Sequence, residues 1–471
     1  MKNTYKMKRF GVVALLLLVA TVVSAQSTLR TGYFLQGNPY RYRLNPALAN
    51  DQNYIGLPVF GNINLSTAGN VGLANFVYDA PNGRDLVTFM HPSVDAADFL
   101  SGIDANNNIR ANFDMNILSA GFFAFGGYNT IDIGTHSRIG VNLPYDMFRF
   151  MKVMGSGDYS FTDMNLNAKN YFDLSLGHSR QIIEGLTVGA RLKFLFGIAY
   201  ADMTFDRMDI TANGSQWRIN AAGSANIAMG GHFTLSDEKT VSGKTPIDSY
   251  EDISAGMNGF GMGIDLGATY DLSEVLVEGL TVSAALNDIG YIKWKKVAKA
   301  GINPSSPYEF NGFTNISIHD DNGAGTSLED QFESLQDDLE DFFTLEDMGE
   351  GSEKCGLGAT LNLGAEYKMP FYKKLSAGVL YTHCFEDMYS YNEMSLMINW
   401  APFKSFDLAL SGSTSTYGTG FGAMANIHCT GFNLFFGSDF FLSNVGKQFI
   451  PLENMNSSVS FGINVPFGRK R

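Results

Sequence analysis

The sequence predicts an all-β fold: a transmembrane antiparallel β-barrel of about 14 strands, with long extracellular loops and one acidic amphipathic helix. Three observations carry this. Apolar and aromatic residues recur at every second position through seven successive runs: 355–367, 375–385, 394–400, 406–410, 421–429, 432–440 and 459–467. A period of two places one set on each face of a strand, so each run has one apolar face and one small, polar face. The charges of the strand-like runs fall in the polar register: Asp114, Arg138, Lys169, Asp173, Arg191, Lys193, Asp265, Lys293, Glu366, Asp407 and Asp439. A Lys or Arg facing lipid at mid-bilayer costs about 2–4 kcal/mol, so this segregation fits a water-facing lumen. Finally, the connections alternate. An outer set (66–112, 144–164, 201–257, 298–354, then 387–391, 414–419 and 443–457) interleaves with an inner set at 126–130, 179–185, 272–279, 369–374, 402–405 and about 430. Long loops outside and short turns inside are the habit of outer-membrane barrels, and they place both chain ends on the periplasmic side.

Residues 1–25 read as a secretory signal. Lys2, Lys6, Lys8 and Arg9 precede the apolar stretch Gly11–Val23, and Val23-Ser24-Ala25 fits the small-residue cleavage pattern. No later apolar run reaches about 18 residues, which leaves no helical membrane span in the sequence. Residues 26–53 form an N-terminal periplasmic segment ahead of the barrel at 54–467, and 468–471 are a short tail. Asn45-Pro46-Ala47-Leu48 in that segment reads as a turn entering the first strand.

The first clean strand is Ile55–Leu65, followed by a polar insertion. A hairpin spans 115–125 and 131–143, and a second spans 166–176 and 186–200. Residues 201–257 lose the register, apart from a possible hairpin around Trp217. Alternation resumes at 260–270 and 280–286, and Asp288 then falls in the apolar register, as expected of a strand end or a bulge. The last run, Val459–Phe467, closes the barrel against Ile55–Leu65 and ends on an aromatic residue, as a barrel-assembly signal does.

The signal peptide, the Asn45-Pro46-Ala47-Leu48 segment and the 14-strand plan resemble the FadL-type fatty-acid transporters, and Asn287-Asp288-Ile289-Gly290-Tyr291-Ile292-Lys293-Trp294 is similar to an aspartate–glycine–aromatic–tryptophan strand end of the barrels related to them. These features look closer still to related barrels that include the PorV-like component of type IX secretion, and closest to a domain-of-unknown-function branch of these barrels. The resemblance implies a barrel in the outer membrane of a Gram-negative bacterium with an N-terminal plug, to which Asn45, Pro46 and Ala47 would belong. The long acidic insertion at 298–354 departs from the transporters.

Residues Ser327–Asp347 carry the helix signal: Leu328, Phe332, Leu335, Leu339 and Phe342 keep helical spacing. Glu329, Asp330, Glu333, Asp337, Asp338, Glu340 and Asp341 crowd the other face, which reads as a partner-binding surface or as the solvated side of a lid. With 33 Lys and Arg against 47 Asp and Glu, the chain is a poor nucleic-acid binder. Three Cys make no disulfide framework, and they read as buried free thiols. The seven His share no strand face with a second metal ligand, and no cofactor loop lies between a strand and a helix, so neither metal nor cofactor is expected. No nucleophile–base set can be assembled, so an enzyme is not expected. The partners implied are outer-membrane lipid, the assembly machinery during biogenesis, and either a hydrophobic or small amphipathic compound in transport or an exported protein held by a scaffold. A continuous apolar path past Leu195, Leu380, Met397, Met424 and Phe435 would favour transport, and a lumen closed by paired charges would favour the scaffold.

Overall fold

The computed structural model describes residues 29–469 except 73–74, 82–85, 154, 214–215, 255, 303–306, 312–327 and 440–455. The expected signal peptide, the N-cap Ser327 and the last two residues of the tail lie outside the described residues.

Fourteen antiparallel strands close into a barrel. In chain order they are β1 (Gln52–Gly56, continued by Ile63–Gly69), β2 (Asn106–Ala124), β3 (Gly127–Pro144), β4 (Met164–Ile183), β5 (Leu186–Asn213), β6 (Gly259–Asp271) and β7 (Leu280–Ile302). They continue as β8 (Glu346–Gly356, then Ala359–Lys368), β9 (Leu375–Phe385), β10 (Tyr391–Phe403), β11 (Phe406–Ser415), β12 (Gly418–Cys429), β13 (Phe432–Ser438) and β14 (Ser457–Arg469). Closure is between β14 and β1, with Val465 opposite Ile55 and Val459 opposite Leu65. Each run of the last quarter is therefore a wall strand.

Alternation is what sorts the two faces. Along β10, Leu396 is 63% exposed while its neighbour Met397 is 2% exposed. Ile131, Phe172, Leu192, Met262, Ile398 and Phe436 likewise stand exposed on the outside, where apolar side chains are stable only against lipid. Among the described residues no helix is long and apolar enough to cross a membrane; the wall crosses with strands.

The sequence places the strand ends too low on the outer side. β2 begins at Asn106, β5 runs on to Asn213 and β7 to Ile302, so parts of the expected loops 66–112, 201–257 and 298–354 are sheet. Residues Gln216–Ala228 turn back along β5 as the hairpin expected around Trp217. They also pair with the top of β7, Gly223 opposite Ile302, standing directly above β6 in the wall. Among the described residues there are three α-helices: α1 (Ala96–Ser101), α2 (Tyr145–Val153) and α3 (Leu328–Phe342). α3 ends at Phe342, short of the expected Asp347, because Glu346 and Asp347 already pair with β7.

Asp288 is a bulge and not a strand end. Opposite Ile264–Leu266 the register slips by one residue, and Asp288 takes a positive φ of 57°. The slip reverses the facing of the residues that follow it, so Lys293, expected in the lumen, is exposed outside and Trp294 is buried inside. The three cysteines are free, as expected, but only Cys384 is buried; Cys355 is half-buried and Cys429 exposed.

Candidate functional site

The segment Leu29–Asn50 lies inside the barrel, where its contacts reach most of the wall. Arg30 donates to Glu393 on β10 at 2.7 Å, and the Thr31 amide donates to Asp439 at 2.9 Å. Tyr33 meets Ser283 on β7 at 3.0 Å, Tyr40 meets Ser119 on β2 at 2.9 Å, and Tyr42 donates to Asp132 on β3 at 2.7 Å. The segment begins high in the lumen, beside the outer ends of β10 and β13, and descends to the periplasmic start of β1.

Asn45 fixes its lower half. The side-chain oxygen accepts the Ala47 amide at 2.9 Å, making a local turn, and the side-chain nitrogen donates to Tyr33 and the Ala268 carbonyl at 3.1 and 3.3 Å. Pro46 lies so close to the wall that a Cβ at Gly189 would run into its carbonyl, and one at Gly267 into its ring. Leu48 is half-buried against a cluster of Tyr33, Phe34, Leu44, Leu380 and Met397. Met424 and Phe435 pack under Leu29, Leu35, Tyr40 and Tyr42. Leu195 packs on Tyr171, Ile292 and Trp294. Among the described residues these five apolar lumen residues therefore fall in three separate clusters and not on one continuous apolar path.

Across the middle of the lumen runs a layer of charge. His136 on β3 points one ring nitrogen at Asp114 and the other at Asp173, the latter at 2.8 Å, and its ring stacks on Tyr171. Arg138 pairs with Asp114 at 2.7 Å. Arg191 bridges Asp132 and Asp265 at 3.2 and 2.8 Å, and Lys193 bridges Asp265 and Asp288 at 2.7 and 2.6 Å. Arg43 of the inner segment donates to Asn116 at 2.5 Å, and Asn116 in turn donates to Asp132 at 3.2 Å. Removed from bulk water, such groups are stable only when paired and hydrogen-bonded.

The strand motif is split by this arrangement. Asp288 joins the charged layer, whereas Gly290 lies where a Cβ would meet the Met262 carbonyl of β6. Trp294 stacks on Tyr200 at 5.2 Å, filling the space that Gly197 and Gly259 leave open. The glycines at 259–263 thus serve wall packing and no phosphate cradle.

A second ionic group closes the outer side. Lys169 donates to Glu386 at 2.8 Å and to the Gly356 carbonyl at 3.0 Å, Arg110 pairs with Glu386 from the other side, and Arg110 also donates to the Tyr389 carbonyl at 2.9 Å. Burial alone would raise the Glu386 carboxyl, but Arg110 and Lys169 together hold it below its ordinary value. Two larger spaces flank the charged layer. An outer cavity of about 710 Å³ is lined by Lys169, Asp202, Asp288, Leu357, Phe385 and Tyr389. A periplasmic one of about 790 Å³ is lined by Arg41, Leu48, Tyr128, Arg180 and Glu366. Only about 40 Å³ opens within the layer itself.

The acidic helix stands apart from this site. Leu339 and Phe342 of α3 pack on Tyr159, Phe161, Ile210 and Ile219 of the outer ribbon. Glu333, Asp337 and Asp338 face solvent, and Asp341 accepts from Ser242 at 2.6 Å. The side chains of Glu329, Asp330 and Glu340 lie outside the described residues. No three described His, Cys, Asp or Glu residues come together as metal ligands.

Residues 46–439 match the model of a family of unknown function, DUF5723. The chain belongs to DUF5723. No curated protein matches it. Among solved structures the DUF5723 chain is similar to the toluene transporter TodX of Pseudomonas putida, with a TM-score of 0.38, 10% identity, and 90% of this chain and 91% of that one covered. It is similar to the toluene transporter TbuX of Ralstonia pickettii, with a TM-score of 0.40, 8% identity, and coverage of 91% and 94%. It is also similar to a FadL homologue of Pseudomonas aeruginosa, with a TM-score of 0.39, 9% identity, and coverage of 93% and 95%. In this DUF5723 chain the sequence places Asp114, Arg138, Asp173, Arg191, Lys193 and Asp265 on the inner face, sets Asp288 in the apolar register, and misses Asp132, His136 and Arg43. The signal for His136 was present: across the hairpin it is the register partner of Asp114.

Proposed function

We propose that this protein is a gated outer-membrane transporter of a Gram-negative bacterium, with the segment ahead of β1, expected at residues 26–53 and seen inside the barrel as Leu29–Asn50, as its plug and Asn45-Pro46-Ala47-Leu48 as the plug's anchor. One observation carries the reading: cavities of about 710 and 790 Å³ face each other across a layer whose remaining free space is about 40 Å³. Two vestibules divided by a thin closed layer, into which the inner segment places Arg43, are the layout of a channel at rest. The lumen between them is lined by ions, amides and tyrosines, so a permeant with a polar group gains more there than a plain hydrocarbon does. Small amphipathic compounds are therefore the substrates favoured. Lateral exit through the break between the two segments of β8 is the alternative to passage straight through.

The test uses the 2.6 Å approach of Thr31 Oγ1 to Ser411 Oγ. A Thr31→Cys, Ser411→Cys pair tethers the plug when oxidised. Uptake of a small amphipathic solute into liposomes should stop on oxidation and return on reduction; uptake indifferent to the tether would sink the reading. A second reading, a PorV-like scaffold holding an exported protein, is supported by the paired charges in the lumen and by the ordered outer ribbon of β5, 216–228 and α3. Under it, a partner protein copurifies with the barrel and uptake is absent.

A further inference from the structure

The charged layer is not balanced by the wall alone. The wall supplies five carboxylates: Asp114, Asp132, Asp173, Asp265 and Asp288. It supplies three permanent cations, Arg138, Arg191 and Lys193. His136 must be counted as a fourth. Both of its nitrogens face carboxylate oxygens, and a neutral ring would set a lone pair against one of them. If the proton sat instead on Asp114 or Asp173, the sum would be the same. The wall thus holds one negative charge in excess, in a layer whose carboxylates are buried except at Asp288.

Arg43 supplies the missing charge, and it belongs to the inner segment and not to the wall. It lines the same 40 Å³ space as Asp114, His136, Arg138, Asp173 and Asp288. Withdrawing the segment takes Arg43 away and leaves the excess uncompensated. A lumen lined by an uncompensated negative charge concentrates cations and repels anions, so a cation entering in place of Arg43 is favoured in the open state. Asp288 is where that cation can arrive: its side chain is 37% exposed, it lines the outer cavity, and through Lys193 it is tied to the rest of the layer. Ile289, Leu357 and Phe385 line the same cavity and would cover an apolar skeleton.

We propose that the transported class is a small organic cation, an ammonium or guanidinium on an apolar skeleton, which takes the place of Arg43 in the lumen as the inner segment withdraws. This rests on the transport reading above.

The experiment measures uptake into liposomes bearing the full chain, against empty liposomes, of three probes on one benzyl skeleton: the trimethylammonium, the sulfonate and an uncharged polyol ether. The expected result is cation uptake at least tenfold above the sulfonate and above the polyol. Asp288→Asn removes the excess negative charge, so the cation preference should collapse towards one, and Asp288→Glu should restore it. Arg43→Met leaves the excess standing and should raise cation uptake further. Equal uptake of the three probes, a preference for the sulfonate, or a preference untouched by Asp288→Asn overturns the cation assignment while the transport reading stands. Uptake of none of them removes the transport reading, and this assignment with it.

Discussion

Asn45 holds the inner segment through both ends of its amide, one to its own chain at Ala47 and the other to Tyr33 and the β6 carbonyl of Ala268. Asn45→Ala takes the acceptor from the Ala47 amide, at about 1–3 kcal/mol for a buried group left unsatisfied, and removes one bond from Tyr33, which keeps Ser283. The expected outcome is faster amide exchange across residues 29–50 with the wall strands unchanged; equal loss of protection in both would assign Asn45 to barrel stability instead. The sequence makes Asn45 conspicuous because Asn-Pro is a turn signal, but its reach into the wall depends on glycines at 189 and 267 on other strands. Asp288 shows the converse. Its misfit with the alternation is visible in the sequence, and the bulge that explains it is expected from that misfit. That the bulge swings Asp288 onto Lys193, and carries Lys293 out and Trp294 in, follows only once the register of β6 against β7 is known.

The elements above the membrane were the least legible. In 201–213 both faces of β5 meet water or the outer ribbon, so no lipid enforces an apolar side and the period of two fades although the strand continues. α3 was legible because its apolar stripe has somewhere to go, the Ile210–Ile219 surface. The turn Glu386–Ser390 is an element with its own titration. Arg110 and Lys169 face the Glu386 carboxyl, with Cys355, Asp387 and Tyr389 close by. Its value in the folded chain lies below the 4.5 of a free Glu, so the docking it supports is complete above 4.5 and is lost as pH falls through the lowered value. Amide exchange in this turn should stay constant from neutral pH to about 5, after correction for intrinsic exchange, and rise only in more acid solution. Glu386→Gln should remove that rise; a turn that loosens between pH 7 and 6 would contradict the assignment.

At the scale of the whole molecule the barrel was legible because lipid imposes one rule on every strand, and because that rule survives without any single residue being decisive. The strand number came from the alternation of long and short connections, which strand pairing reproduces around the closed wall. The charged layer was half legible: the sequence gives facing, but which charges meet depends on pairings between strands far apart in the chain, as with Arg191 and Asp265. The belt itself is testable. Leu396 stands exposed near the middle of β10, and Leu396→Arg should cost about 2–4 kcal/mol of folding free energy in lipid vesicles. A neutral effect would place that face in water. The central claim, that the inner segment closes an otherwise open lumen, is tested most directly by conductance in planar bilayers. The full chain is compared with a chain lacking residues 29–50, both first shown to be folded by heat-modifiable migration. The account predicts a silent full chain and sustained, cation-selective current through the shortened one. A shortened chain that folds and stays silent, or a full chain that conducts equally well, would contradict it.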